Sequence, residues 1–126
     1  MILLDTSALL YWANRPEQLS SAAFAAIENA DRILISSISL WEIGIKARKG
    51  KLTLPTPLRQ FAAAVESTER VRLLPVHTEI WLRTVELDWR HRDPADRVIV
   101  ATAQVHNCPL VTSDRTIRAF YQSTIW

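Results

Sequence analysis

Residues 1–13, Met-Ile-Leu-Leu-Asp-Thr-Ser-Ala-Leu-Leu-Tyr-Trp-Ala, decide the fold class of this chain. The apolar run Ile2–Leu4 has the length and composition of a buried parallel strand, because such strands are covered on both faces and need no polar alternation. Asp5, Thr6 and Ser7 then offer side chains that can cap the first turn of a helix. A strand that passes directly into a helix predicts an α/β fold.

Strand-like apolar runs and helix-like segments alternate along the rest of the chain. This order predicts one domain spanning residues 1–126, in which a central parallel sheet lies between layers of helices, a three-layer α/β/α arrangement. Strands are predicted at residues 2–4, 33–35, 72–76, 110–112 and 124–126. Helices are predicted at residues 8–13, 21–30, 39–49, 57–67, 78–89 and 93–105, with a last short one from residue 114.

Composition sets the class of protein. Hydrophobic residues make up 48% of the chain and charged residues 22%, which is ordinary for a soluble globular domain. No apolar run approaches the length of a bilayer span, and the N-terminus lacks the features of a secretion signal, so we expect a cytoplasmic protein without membrane contact. Cys108 is the only cysteine, which excludes a disulfide within the chain and a cysteine-cluster metal site.

Four acidic residues stand beside separate apolar runs. Asp5 and Asp114 follow predicted strands, whereas Glu42 and Asp96 fall in the predicted first turns of two helices. Because ligands of parallel α/β sheets gather beyond the carboxyl ends of the strands, we expect these carboxylates to converge there. Like charges held together are costly unless they are protonated or neutralised by a cation. Ligands that offer only oxygen select a hard ion such as Mg²⁺ or Mn²⁺, which can bind a scissile phosphate and activate a water molecule.

Each acid taken alone has a simpler explanation. Asp5 and Asp114 could serve only as helix caps, and Asp93 before Pro94 has the signature of a cap at the start of a helix. Glu42 stands three residues after a serine, as the second member of a capping box would. The joint placement of the acids beside separate apolar elements favours a metal site over independent caps.

Four segments resemble PIN-domain ribonucleases, most closely the VapC toxins of toxin–antitoxin modules. They are residues 3–10 (LLDTSALL), 41–43 (WEI), 91–97 (HRDPADR) and 110–114 (LVTSD). The resemblance covers nearly the whole chain, and its most specific part is the HRDPxDR segment combined with the other acids. It implies a parallel sheet of five strands, a Mg²⁺ or Mn²⁺ cofactor and endoribonuclease activity on RNA. It also implies a homodimer and a cognate antitoxin that inhibits the toxin within a hetero-oligomer.

The resemblance also implies roles for individual residues. Asp5 and Asp96 are predicted to be metal ligands, and Glu42 and Asp114 to complete the acidic cluster. Side chains that match positions near the ligands are predicted to support the site: Thr6, Ser7, Asp93 and Thr112. Apolar side chains on the early helices are predicted to form the groove that an antitoxin covers, among them Leu10, Trp12, Phe24 and Trp41.

The basic residues predict contact with RNA phosphates. The net charge is only +2, but the acids are expected at one place, which leaves basic residues for other surfaces. The residues predicted to hold RNA are Lys46, Lys49, Arg92 and Arg97. The alternative for both clusters is an ordinary solvated helix face.

Two other classes of enzyme that begin with a strand and an acid do not fit. A haloacid-dehalogenase-type phosphatase needs a second aspartate where this chain has Ser7, and a receiver domain needs an acidic pair that is absent before Asp5. The remaining alternative is a PIN domain that is non-catalytic, or not a toxin, and that binds RNA or a protein partner.

Overall fold

The computed structural model describes residues 1–126 as alternating strands and helices. The strands are β1 (Ile2–Leu4), β2 (Ile33–Ser36), β3 (Val71–Leu74), β4 (Leu110–Val111) and β5 (Thr124–Ile125). The helices are α1 (Thr6–Asn14), α2 (Ser21–Asn29), α3 (Ser37–Arg48), α4 (Leu58–Ser67), α5 (Thr78–Glu86), α6 (Pro94–His106) and α7 (Arg115–Phe120), with a 3₁₀ turn at Pro16–Gln18.

The five strands form one sheet in the order β3-β2-β1-β4-β5, and every neighbouring pair is parallel. The predicted parallel sheet is therefore confirmed. The chain adds β2 and then β3 on one side of β1, and later adds β4 and β5 on the other side. The order thus reverses between β1 and β4, and the carboxyl ends of strands at such a reversal border a crevice that commonly binds ligands.

Helices cover both faces of the sheet, as predicted. Ile2 and Leu4 of β1 point into one core, which also contains buried side chains of α1, α2, α3 and α4. Leu3 points into the opposite core, which contains buried side chains of α6 and α7. Successive side chains of a strand point to opposite faces, so a fully apolar three-residue strand contributes to both cores.

Side chains predicted as helix caps have that role in the structure. Asp5 accepts a hydrogen bond from the amide of Ala8 at 2.8 Å at the start of α1. Asp93 and Asp114 cap α6 and α7 in the same way. A cap and a catalytic ligand are not exclusive roles, because a carboxylate has two oxygens and more lone pairs than one amide uses.

The predicted capping box of Ser39 and Glu42 is wrong. The cap of α3 is Ser36, the last residue of β2, whose hydroxyl accepts from the amide of Ile38 at 3.2 Å. Helix α3 therefore begins at Ser37 and Glu42 lies in its second turn rather than its first. The strand passes into the helix without a connecting loop, which the apolar run alone did not show.

Several other element boundaries differ from the prediction by one to three residues. Strand β3 ends at Leu74, before Pro75, which has no amide hydrogen to donate to a neighbouring strand. Helix α5 ends at Glu86 instead of Trp89, and residues 87–93 form an irregular segment that leads into α6. No helix of the chain combines the length and the apolar composition needed to cross a membrane.

Candidate functional site

A polar cleft of about 180 Å³ lies at the carboxyl ends of β1 and β4, where the strand order reverses. No hydrophobic side chain lines it. The lining residues are Asp5, Thr6, Ser7, Glu42, Lys46, Asp93, Asp96, Ser113 and Asp114. The structure therefore brings together the four acids that were predicted to converge, together with three of the four predicted supporting residues.

Asp5 is the most deeply held carboxylate of the cleft, with 5% of its surface exposed. One carboxylate oxygen accepts from the amide of Ala8, and the other accepts from the hydroxyl of Thr112. The Thr112 hydroxyl in turn accepts from the amide of Asp114 at 3.1 Å. Thr112, the fourth predicted supporting residue, thus lies beneath the cleft and connects two of its acids.

Asp96 is placed in the cleft by the first turn of α6. Asp93 fixes this turn, because its Oδ1 accepts from the amides of Ala95 at 3.0 Å and Asp96 at 3.2 Å. The Oδ2 atom of Asp96 lies 2.7 Å from Nε2 of His91. His91 was not predicted as a site residue. It belongs to the HRDPxDR segment, but the direction of its ring depends on the irregular backbone before α6, which the sequence pattern does not specify.

Burial dominates the electrostatics of the two central acids. It raises the pKa of Asp5 from 3.8 to about 6, although the hydrogen bonds from Thr112 and Ala8 lower it. Burial likewise raises the pKa of Asp96 to about 6 against the lowering effect of His91. The charges of neighbouring acids add to the increase for both. A cation bound between these groups would favour their ionised forms.

Glu42 enters the cleft from α3 and is paired with a lysine of the same helix. The Lys46 ammonium lies 3.3 Å from Glu42 Oε2. Helix α3 is tied to α1 by a hydrogen bond of 2.9 Å between the hydroxyls of Ser39 and Thr6. Because Thr6 directly follows Asp5, this contact fixes the separation between the first strand and the helix that carries Glu42.

Arg97, which was predicted to contact RNA, is engaged within the protein. Its guanidinium points inward and donates to the carbonyl oxygens of Trp89, His91, Thr84 and Leu87. These four bonds engage both terminal nitrogens of the guanidinium and hold the irregular segment between α5 and α6. Arg92 and Lys49 are exposed, and their contact with RNA stays a prediction.

The same segment is also fixed by aromatic packing. The Trp89 ring stacks on Phe120 of α7 with centroids 4.6 Å apart and an interplanar angle of 12°. Its other neighbour is the His91 ring, at a centroid distance of 4.8 Å. Arg97 and this stack together hold His91 against Asp96, although residues 87–93 belong to no regular element.

Two sets of candidate metal ligands share Asp96, and only the second has three donor atoms close enough together to hold one ion. One set is formed by the oxygens of the predicted acids, and these side chains line one cleft. In the other, donor atoms of His91, Asp93 and Asp96 lie within 4.8 Å of one another. The second set was not predicted, because the three histidines of the sequence have no regular spacing with each other.

An apolar groove of about 710 Å³ lies along another face of α3. Trp41 is the most prominent side chain of this groove and is 53% exposed. Trp12, predicted for the same surface, instead lines a separate cavity of about 360 Å³ with Phe61 and Val65. The remaining apolar residues of the groove are Leu40, Ile45, Ala47, Leu52, Leu54, Pro57 and Leu58.

Comparison with known proteins gives consistent matches. The profile of the PIN domain matches residues 2–122. Ribonuclease VapC22 of Mycobacterium tuberculosis is 33% identical over 129 aligned residues, which cover 99% of this chain and 98% of that protein. Among solved structures, a toxin–antitoxin complex from Klebsiella pneumoniae has a chain with a TM-score of 0.71 and 23% identity, with coverage of 100% of this chain and 97% of that one. VapBC2 from Rickettsia felis, solved in complex with a DNA fragment from its promoter, has a chain with a TM-score of 0.69 and 19% identity. The match covers 100% of both chains.

Proposed function

The chain belongs to the PIN-domain family, and from this premise we propose that it is a metal-dependent endoribonuclease, the toxin of a VapC-type toxin–antitoxin pair. The observation that carries the proposal is the convergence of Asp5, Glu42, Asp96 and Asp114 in one polar cleft. The relative that matches along the whole chain is named a ribonuclease. We further propose that residues 1–126 form one domain, since both cores share the same sheet.

The donor set fits Mg²⁺ or Mn²⁺. The cleft offers carboxylate and hydroxyl oxygens and no sulfur, which is the ligand chemistry of a hard divalent ion. Burial, with a smaller effect from neighbouring acids, raises the pKa values of Asp5 and Asp96, so a bound cation would stabilise their ionised forms. We propose Asp5 and Asp96 as the principal ligands, with Glu42 and Asp114 completing the set.

The chemistry that a divalent ion supplies when bound is charge stabilisation on the scissile phosphate and a lower pKa for an attacking water molecule. The protein residues supply the geometry. Thr112 and the amide of Ala8 orient the two oxygens of Asp5, and Asp93 orients Asp96 by fixing the turn that carries it. The Ser7 side chain is exposed at the edge of the cleft, where its hydroxyl can donate to a phosphate oxygen.

The surfaces around the cleft fit the proposed partners. Exposed Arg92 and Lys49 can contact RNA phosphates. The apolar groove around Trp41 is large enough for side chains of an antitoxin segment, and exposed apolar surfaces of this kind mark protein contacts. Two solved structures with this fold are toxin–antitoxin assemblies. For the proposed homodimer, α5 offers an exposed apolar surface made by Trp81, Leu82 and Val85.

A cleavage assay tests the catalytic proposal. The purified chain is incubated with a mixed RNA pool in Mg²⁺, in Mn²⁺ or in a chelator, and the new RNA ends are mapped. We expect cleavage only with a divalent ion, and loss of at least about a hundredfold in Asp5→Asn and Asp96→Asn, which remove ligand charge but keep side-chain shape. Equal cleavage by wild type and both variants would assign the activity to a contaminant and refute the proposal.

The toxin role needs a second test, because a PIN domain that only binds RNA or a protein partner would also fold in this way. Expression of the chain alone should arrest growth, and expression of Asp5→Asn should not. Co-expression of the proposed cognate antitoxin should restore growth. Normal growth with abundant wild-type protein, together with absence of cleavage in every ion, would favour the non-catalytic alternative.

A further inference from the structure

Lys46 is the only basic residue that lines the acidic cleft. Five carboxylates line the same cleft, those of Asp5, Glu42, Asp93, Asp96 and Asp114. The position of the lysine follows from the helix, because residues four apart lie on the same face of α3 one turn from each other. The cleft therefore already contains one positive charge when no ion is bound.

The side chains of Glu42 and Lys46 differ in conformational freedom. The Glu42 side chain is 11% exposed, whereas that of Lys46 is 50% exposed, and the ammonium lies 3.3 Å from Oε2. A buried glutamate on a packed helix has few alternative rotamers. A lysine ammonium on a flexible four-carbon stem can move towards solvent at little cost. If the pair separates, Lys46 is the partner that moves.

We infer that Lys46 is the resident counter-cation of the cleft, which neutralises Glu42 in the metal-free chain and withdraws its ammonium when a divalent ion occupies the cleft. This inference rests on the proposed metal site. The lysine opposes ion binding in two ways: it occupies an oxygen of Glu42, and its charge repels a second cation at short distance. It also reduces repulsion among the carboxylates while no ion is bound.

Removing the Lys46 charge should therefore change two measurable quantities in opposite directions, the stability of the metal-free chain and its affinity for a divalent ion. Without the ammonium, the metal-free chain should be less stable, because Glu42 loses the cation paired with it. The same change should make a divalent ion bind more tightly. A residue that only stabilised α3 would lower the melting temperature with and without ion alike. A residue that only contacted RNA would change neither quantity.

The test compares Lys46→Gln with Lys51→Gln, without RNA. Lys51 is an exposed lysine near the end of α3 that does not line the cleft, so its replacement removes the same charge elsewhere. Calorimetry measures the affinity for Mn²⁺ at low ionic strength, and thermal unfolding is followed in chelator and in Mn²⁺. We expect Lys46→Gln to bind Mn²⁺ about three- to tenfold more tightly than wild type and to have a lower melting temperature in chelator. Its melting temperature should rise more than that of wild type when Mn²⁺ is added. Lys51→Gln should match wild type within about twofold.

A second pair of proteins isolates the contact. In a Glu42→Gln background, Lys46→Gln should change the Mn²⁺ affinity by less than about twofold, since the carboxylate for which lysine and ion compete is gone. Unchanged or weaker Mn²⁺ binding by Lys46→Gln, or an equal gain in Lys51→Gln, would overturn the inference while leaving the metal site intact. Absence of Mn²⁺ binding by the wild-type chain would overturn both this inference and the proposed function.

Discussion

The hydroxyl of Thr112 donates a hydrogen bond to Asp5, although the two residues are 107 positions apart in the sequence. The same hydroxyl oxygen accepts from the amide of Asp114. One buried side chain at the end of β4 therefore connects the acid that follows β1 with the acid that follows β4. The geometry of the cleft depends on this contact as well as on the carboxylates.

Replacing Thr112 by valine should disturb the cleft without changing side-chain volume. The hydrogen bond from Thr112 is the largest influence that lowers the pKa of Asp5, so its loss should raise that pKa further above about 6. We expect the rising limb of the pH–rate profile to move to higher pH and the free energy of unfolding to fall by about 1–3 kcal/mol. Thr112→Ser keeps the hydroxyl and serves as the control. An unshifted profile in the valine variant would show that Asp5 does not control the rate.

The metal-free chain should lose stability as the pH rises from about 4 to about 6. The folded-state pKa of Asp5 lies above its ordinary value of 3.8, so the folded chain binds the proton more tightly than the unfolded chain. Ionisation of Asp5 then lowers the free energy of unfolding, by up to roughly 3 kcal/mol above pH 6. Ionisation of Asp96 acts in the same direction. Urea unfolding in chelator at several pH values measures the slope. A flat profile would contradict the assigned pKa.

Asp5→Asn should stabilise the metal-free chain at pH 7.5 while removing cleavage. The amide keeps the shape of the side chain but carries no charge that burial would penalise. We expect a gain of about 1–3 kcal/mol in unfolding free energy in chelator, and most of the pH slope should disappear. Saturating Mn²⁺ should reverse the order of stability, because only the wild-type chain gains from tight binding. A variant less stable than wild type in chelator would mean that the hydrogen bonds of Asp5 outweigh its burial.

Arg97→Gln should act on stability, whereas Arg92→Gln should act on RNA. The Arg97 guanidinium donates to carbonyls of four residues, and its loss leaves these partly buried acceptors unpaired. We expect a loss of about 2–4 kcal/mol in unfolding free energy. Arg92→Gln should change stability by less than about 0.5 kcal/mol, since Arg92 is exposed. Its RNA affinity should fall with a salt slope reduced by about one. The reverse pattern would restore the prediction that Arg97 contacts RNA.

The positions of Asp5 and Asp96 could be predicted because each stands at the end of a strand or the start of a helix, which short sequence patterns indicate. Asp5 follows a strand-like run and Asp96 follows a helix-start signature, so topology alone brings them to one sheet edge. Glu42 was predicted in the cleft, but the local reason was wrong, since Ser36 already caps α3. Its place depends on where the helix starts, and one residue of shift rotates a helical side chain by about 100°.

The same rotation explains the inward direction of the Arg97 side chain. It follows Asp96 directly, so when Asp96 points into the cleft, Arg97 points about 100° away, towards the carbonyls before α6. The role of His91 could not be predicted for a related reason. The direction in which its side chain leaves the backbone is set by the irregular segment before α6 and by packing of Trp89 against Phe120.

The hydrogen bonds of Arg97 also have a consequence for local unfolding. Residues 87–91 belong to no strand or helix. Three of their carbonyl oxygens accept hydrogen bonds from the same side chain of α6, that of Arg97. Fraying of the first turns of α6 would release all these carbonyls together, and ordering of the turns would capture them together. Amide hydrogen exchange in the segment and in the start of α6 should therefore report a single opening event. His91 and Asp96 would then lose or keep their alignment as one cooperative unit, not residue by residue.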